Sequence, residues 1–213
     1  MSDLVAPLLV SLLLVNLYAL GTSRLLAAVN ASAAQGVILG ALTLVVHHEI
    51  NARTVLVALG ATALKGVAIP FMLRRAMRDI SVRREAEPLV GYAASLTLGA
   101  LGTGLAVLFA DTLPLAREHV GSLLVPAALS TVLAGFIVMT TRRKAISQVV
   151  GYLILENGIF VMGLSLLAAM PFLVEFGVLL DLFVGIFVMG IILDHIRREF
   201  ASLDTRRLSA LKE

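Results

Sequence analysis

The chain has 213 residues, of which 59% are hydrophobic and 15% charged, and its mean hydropathy is +0.99. So little polar surface cannot cover a soluble globule of this size, and the composition marks an integral membrane protein. Cysteine is absent, which excludes disulfides, thiolate metal sites and cysteine-held iron–sulfur clusters from this chain.

Apolar runs bounded by charges or turn residues predict seven spans, at 4–22, 25–46, 54–73, 89–110, 121–140, 145–168 and 172–193. Runs of this length, rich in Leu, Ala, Gly and Val, fit helices rather than the alternating segments of about 10 residues found in membrane barrels. The expected fold is all-α, a polytopic membrane protein forming a single domain over 1–213. The opening MSDLVAP has no basic n-region, so the first run is expected to be retained as a span.

Basic residues test the arrangement. Arg24 follows the first span, Arg74, Arg75, Arg78, Arg83 and Arg84 the third, Arg142, Arg143 and Lys144 the fifth, and Arg197, Arg198, Arg206, Arg207 and Lys212 the seventh. Only Arg53 and Arg117 fall in the alternate loops. Because Lys and Arg collect on the cytoplasmic side, the pattern predicts an outside N-terminus and a cytoplasmic C-terminus. These loops account for the net charge of +3 without a nucleic-acid partner. The Arg74–Pro88 segment reads as a solvated loop near anionic lipid headgroups, or as a docking surface for another subunit. Beyond Asp194, Ile196, Phe200 and Leu203 recur at helical spacing opposite Arg197 and Arg198, as in a short interfacial helix or a tail with snorkelling arginines.

Within the spans, the GxxxG pair Gly36 and Gly40 and the cluster Gly99, Gly102 and Gly104 allow close helix approach, inside the chain or against a partner. Asn30, Ser32 and Gln35 in the second span read as interhelical hydrogen-bonding groups. Lys65, Glu156 and Asp181 differ in kind, because a charge at bilayer depth is costly and persists where it faces protein or water. At a rise of about 1.5 Å per residue, Lys65 and Glu156 lie about 16 Å from the starts of their spans and Asp181 about 14 Å. Three ionisable groups of both signs near the midplane can form a horizontal row, which suits a lateral proton relay. Burial favours the neutral form of such groups and pairing the charged form, so small rearrangements can move protons. The competing expectation is an ion pair that only fixes packing, for example Lys65 with Asp181. Glu175, about one turn into the seventh span, would mark an access point from the outer side. His47, His48, His119 and His195 fall near span ends rather than at facing mid-membrane positions, so no haem is expected. No phosphate loop, nucleophile elbow or histidine metal cluster is present in the sequence, and neither a cofactor nor a self-contained catalytic site is expected.

The last three spans, over 121–203, resemble subunit K of respiratory complex I and its relatives in cation antiporter complexes. In RRKAISQVVGYLILENG, Gly151 and Asn157 keep the spacing of the K-type helix, whereas Leu153 stands where that helix has its glutamate and Glu156 follows one turn later. In LLDLFVGIFVMG, Asp181 lies four residues before Gly185, the K-type position of a second glutamate. Over its whole length the chain resembles hydrogenase-4 component E, a membrane subunit of group 4 hydrogenase and formate hydrogenlyase-type complexes. TALKGVAIPFMLRRAMRDI with Lys65 and Pro70, GYLILENG with Glu156, LVEFGVLLD with Glu175 and Asp181, and LDTRRLSALKE carry that resemblance. It implies a non-catalytic subunit beside antiporter-like subunits, with redox chemistry in peripheral partners. The resulting expectation is a relay through Lys65, Glu156 and Asp181; the alternatives are a subunit of a related cation/proton antiporter complex, a freestanding carrier, or a structural scaffold.

Overall fold

The computed structural model describes residues 4–46, 52–78, 88–110, 112–113, 122–166 and 190, and the elements in them are helical. The seventh expected span, with Glu175 and Asp181, lies outside the described residues, as do the segment after Asp194 and the four histidines. Helix α1 is Val5–Gly21, α2 Leu25–Val46, α3 Ala52–Ala61, α4 Ile69–Arg78, α5 Tyr92–Ala110, α6 Leu124–Thr141 and α7 Ala145–Leu166. Between α3 and α4, Thr62–Ala68 is wound as a π-helix, so residues 52–78 form a continuous helical rod. Five stretches are long and apolar enough to cross a membrane: Leu25–Val46, Thr54–Arg75, Tyr92–Ala110, Leu124–Thr141 and Ala145–Ser165. Helix α1 is a shorter apolar helix.

These elements coincide with the first six expected spans to within a few residues, with one correction. Arg74, Arg75 and Arg78, expected in a loop, belong to α4. Cations there complement the negative end of the helix dipole, so the helix need not stop where the hydrophobicity does.

Helix α1 ends where Thr22 turns extended (φ −88°, ψ 135°) while its N–H still donates to the Tyr18 carbonyl. Helix α6 ends in the same way at Arg142 (φ −100°, ψ 141°), whose N–H donates to Val138. A few residues later the next helix starts, so α1–α2 and α6–α7 are tight antiparallel hairpins. Helices α1, α2, α7 and α6 close into a ring of neighbours; α5 packs outside on α1 and α6, and the 52–78 rod packs on α2.

Glycine sets the closest approaches. A Cβ on Gly151 would lie 2.5 Å from Met139 N, and one on Gly158 2.5 Å from Val132 N, so the α6 and α7 backbones are in contact. A Cβ on Gly36 would lie 2.5 Å from both Gly66 N and the Lys65 carbonyl carbon, which places the GxxxG pair against the π-helical rod of the same chain.

The core is layered. One apolar cluster, toward the hairpin turns, includes Leu20, Val29, Leu73, Val138 and Ile154. The other, toward the opposite end, includes Leu9, Leu39, Ala61, Leu124 and Phe160. On each of five spans a polar residue falls in sequence between members of the two clusters: Asn16, Gln35, Lys65, Thr131 and Asn157. That polar layer holds the site.

Candidate functional site

Lys65 stands in the middle of the π-helical turn. The winding has a cause downstream: Pro70 has no N–H, and in an α-helix its ring crowds the carbonyl four residues back, that of Gly66. Widening the turn lets the Leu64 carbonyl accept from Ile69 N–H, five residues on, before α winding resumes. Single π turns of this kind recur at functional sites. Gly36 of α2 abuts the widened backbone at Lys65 and Gly66.

Helix α7 brings Glu156 to the lysine. Lys65 Nζ lies 2.8 Å from Glu156 Oε1, with the two side chains 3% and 2% exposed. Phe160, one turn further along α7, places its ring centroid 5.3 Å from Nζ and adds a cation–π contact. Among the described residues Glu156 is the only one that carries a side-chain carboxyl. Lys65 thus pairs with Glu156, and the pairing suggested with Asp181 falls outside the described residues. Of the four expected site residues, the structure brings these two together, and Asp181 and Glu175 lie outside the described residues.

Beside the pair a chain of neutral groups crosses the four central helices. Asn157 Nδ2 donates to Gln35 Oε1 at 3.0 Å, Gln35 Nε2 to Asn16 Oδ1 at 2.6 Å, and Asn16 Nδ2 to Thr131 Oγ1 at 2.8 Å. The Thr131 hydroxyl donates to the Ala127 carbonyl at 2.7 Å. That last bond fixes the polarity of the whole chain, because a carbonyl can only accept. With its proton committed, Thr131 must accept from Asn16, which then offers its oxygen to Gln35, which in turn offers its own to Asn157.

Gln35 therefore makes the interhelical bonds expected of the second span, and Asn30 accepts from Arg74 Nη2 at 2.8 Å. Asn16 and Thr131 were not singled out by the sequence. The available signal was one amide in the otherwise apolar run VSLLLVNLYAL, and a threonine at the matching level of the fifth span.

Arg142 also departs from expectation. Counted among loop charges, it is 3% exposed and turned into the protein. Nη2 donates to the Leu20 carbonyl at the end of α1 (2.8 Å), Nη1 to the Val90 carbonyl before α5 (3.1 Å), and the guanidinium lies 4.3 Å from the Tyr92 ring centroid. Both carbonyls belong to chain ends that a helix leaves without internal partners or has not yet engaged, so the fork joins three elements at one level.

Chemically, the Lys65–Glu156 pair can pass one proton from ammonium to carboxylate and become a neutral amine and acid, with no change in the net charge of the layer. A pair of opposite sign is thus buried beside a π turn and an oriented amide chain.

No protein-family profile matches the chain, and no solved structure matches it. Among curated proteins it is 37% identical over 183 residues to an uncharacterized protein of Mycobacterium tuberculosis, covering 84% of this chain and 82% of that one. It is 32% identical over 151 residues to hydrogenase-4 component E of Escherichia coli, covering 70% of this chain and 68% of that one, and equally to the Shigella flexneri protein. With two thirds of that protein spanned at this identity, the chain belongs to the hydrogenase-4 component E family.

Proposed function

We propose that this protein is a non-catalytic membrane subunit of a complex I-related, group 4 hydrogenase-type complex, and that it carries an intramembrane proton relay. Protons pass laterally through Lys65, Glu156 and Asp181, linking the electron-input end of the assembly to antiporter-like pumping subunits, with Glu175 as an access point to the outer side. The observation that carries this reading is the buried Lys65–Glu156 pair at 2.8 Å. Kinship with hydrogenase-4 component E supports membership in such a complex. In this reading the chain has seven spans with the N-terminus outside, and 121–203 corresponds to the subunit K-like part. The gathering of Arg74, beside Asn30, and Arg142, beside Leu20, near the hairpin turns supports that orientation.

The test uses the assembled complex in native membranes. In the complex that assembles, Glu156→Gln and Asp181→Asn leave electron transfer running, while proton translocation per electron pair falls by about tenfold or more, the scale of removing a proton-transfer group. Full coupling in both variants sinks the relay.

One observation favours a second reading. The pair closes onto a helix ring whose polar groups already satisfy one another, as a packing device would. A scaffold of that kind keeps full coupling when Lys65→Met and Glu156→Gln are combined, and the relay does not. Copurification with a hydrogenase large subunit separates membership in a hydrogenase complex from membership in a related antiporter complex.

A further inference from the structure

We infer that Gln35 is a positioning residue for the Lys65–Glu156 pair, and that the dipeptide Gln35–Gly36 holds both members of it from one turn of α2. The inference rests on the relay reading for its functional meaning and on geometry for its substance. The two residues face different neighbours. Gln35, which is fully buried, accepts from Asn157 Nδ2 at 3.0 Å, and Asn157 directly follows Glu156 on α7. Gly36, the next residue, meets the rod at Lys65 and Gly66 so closely that a Cβ would lie 2.5 Å from Gly66 N. Successive residues of an α-helix point about 100° apart. One turn of α2 therefore fixes the rotation of α7 on one side and the distance of the π turn on the other.

The placement matters because α2 is what the rod packs on, and the rod reaches α7 chiefly through its side chains. Without the amide bond, α7 could rotate by a few degrees about the glycine contacts with α6 and carry the carboxylate off the ammonium. Without the glycine, the rod would be pushed outward and carry the ammonium off the carboxylate. The directed donor chain explains why an amide is needed at 35. Gln35 must accept from Asn157 and donate to Asn16 at the same time, and a hydroxyl is too short to span both helices. At the far end Thr131 supports the chain through its bonds to Asn16 and the Ala127 carbonyl.

A membrane-permeant carbodiimide provides the readout. The carboxylic acid adds across the reagent and rearranges to a stable N-acylurea, with no leaving group, and the ionised, paired carboxylate does not react. The modification rate at Glu156, read by mass spectrometry of its peptide from intact complex in membranes, reports the fraction of time Glu156 is a neutral acid within reach of the reagent, which rises when the pair is pulled apart. Asn157→Leu raises that rate by about two- to tenfold, the equilibrium shift that follows from losing one net hydrogen bond, and Gln35→Leu, which loses two, and Gly36→Ala, whose Cβ meets the rod backbone, raise it at least as much. Thr131→Val changes it by less than about twofold, because the Gln35–Asn157 bond survives. Should Gln35→Leu fail to accumulate, Gln35→Met, unbranched and adaptable, carries the same expectation.

Unchanged rates in Gln35→Leu and Asn157→Leu overturn the inference, and so does an equal rise in Thr131→Val, which would make the chain general packing. The relay itself stands or falls separately, on proton translocation in Glu156→Gln.

Discussion

The α6–α7 hairpin and the 52–78 rod are both helical and apolar, yet they are held in opposite ways. In the hairpin the two backbones touch at glycines, and 61% and 67% of the spanning windows are buried within the protein. The rod has only 29% of its window buried and leans on α2. One member of the ion pair comes from each: Glu156 from the fixed hairpin and Lys65 from the lightly held rod, in the one turn wound as a π-helix. Neutral polar groups occupy the tightly packed ring, where they satisfy one another, and the charges occupy the seam between ring and rod.

The sharpest way to break the contrast is to overfill each partner. Gly151→Leu drives a side chain into the α6 backbone at Met139, and overpacking against a main chain that cannot yield costs more than about 3 kcal/mol. Loss of the protein from membranes, scored by immunoblot, is the expected outcome. Gly60→Leu is the counterpart on the rod, where a Cβ would meet nothing within 4 Å. It leaves the amount of protein unchanged, and equal losses in the two variants would erase the distinction between hairpin and rod.

At the seam the expected effect is bounded. Lys65→Met or Glu156→Gln alone leaves one buried charge without its counter-ion and destabilises by about 3–5 kcal/mol. The double variant keeps the volume, strands no charge and costs less than either single change. Thermal unfolding of the detergent-solubilised protein gives all three values, and strict additivity would show that the two groups do not act as a pair.

How much of this was legible in the sequence differs between the same regions. Spans are set by apolar runs, and in lipid every backbone polar group must be satisfied within its segment, so the six described spans follow from composition along the chain. The depth of Lys65 and Glu156 could also be read, because helical rise is constant, and they do meet. Their pairing was not legible: three charges at one level allow several pairs, and rotation of each helix about its axis decides among them. The π turn was hidden for a related reason, since Pro70 announces a disturbance without saying whether the chain kinks or widens. Asn16 and Thr131 looked like isolated polar residues until the fold placed them at one level. Arg142 keeps its expected place between α6 and α7, but its burial was hidden, because a basic residue next to a span end reads as solvated and only the carbonyls of Leu20 and Val90 show why it turns inward.

Arg142 gives the mildest test and the most informative contrast with the seam. Its guanidinium is buried against neutral carbonyls and a ring, with its charge permanent at any physiological pH. Arg142→Lys keeps that charge but cannot reach two carbonyls in a planar fork while lying on Tyr92, so about 1–2 kcal/mol of stability is lost, near the value of one charged hydrogen bond. The exposed neighbour Arg143 tolerates the same change to within about 0.5 kcal/mol. Neither substitution alters proton translocation per assembled complex, because a group that never releases its proton can brace the layer but cannot carry protons through it. A coupling defect in Arg142→Lys, at normal assembly, would mean that the relay extends from the seam to the hairpin turns.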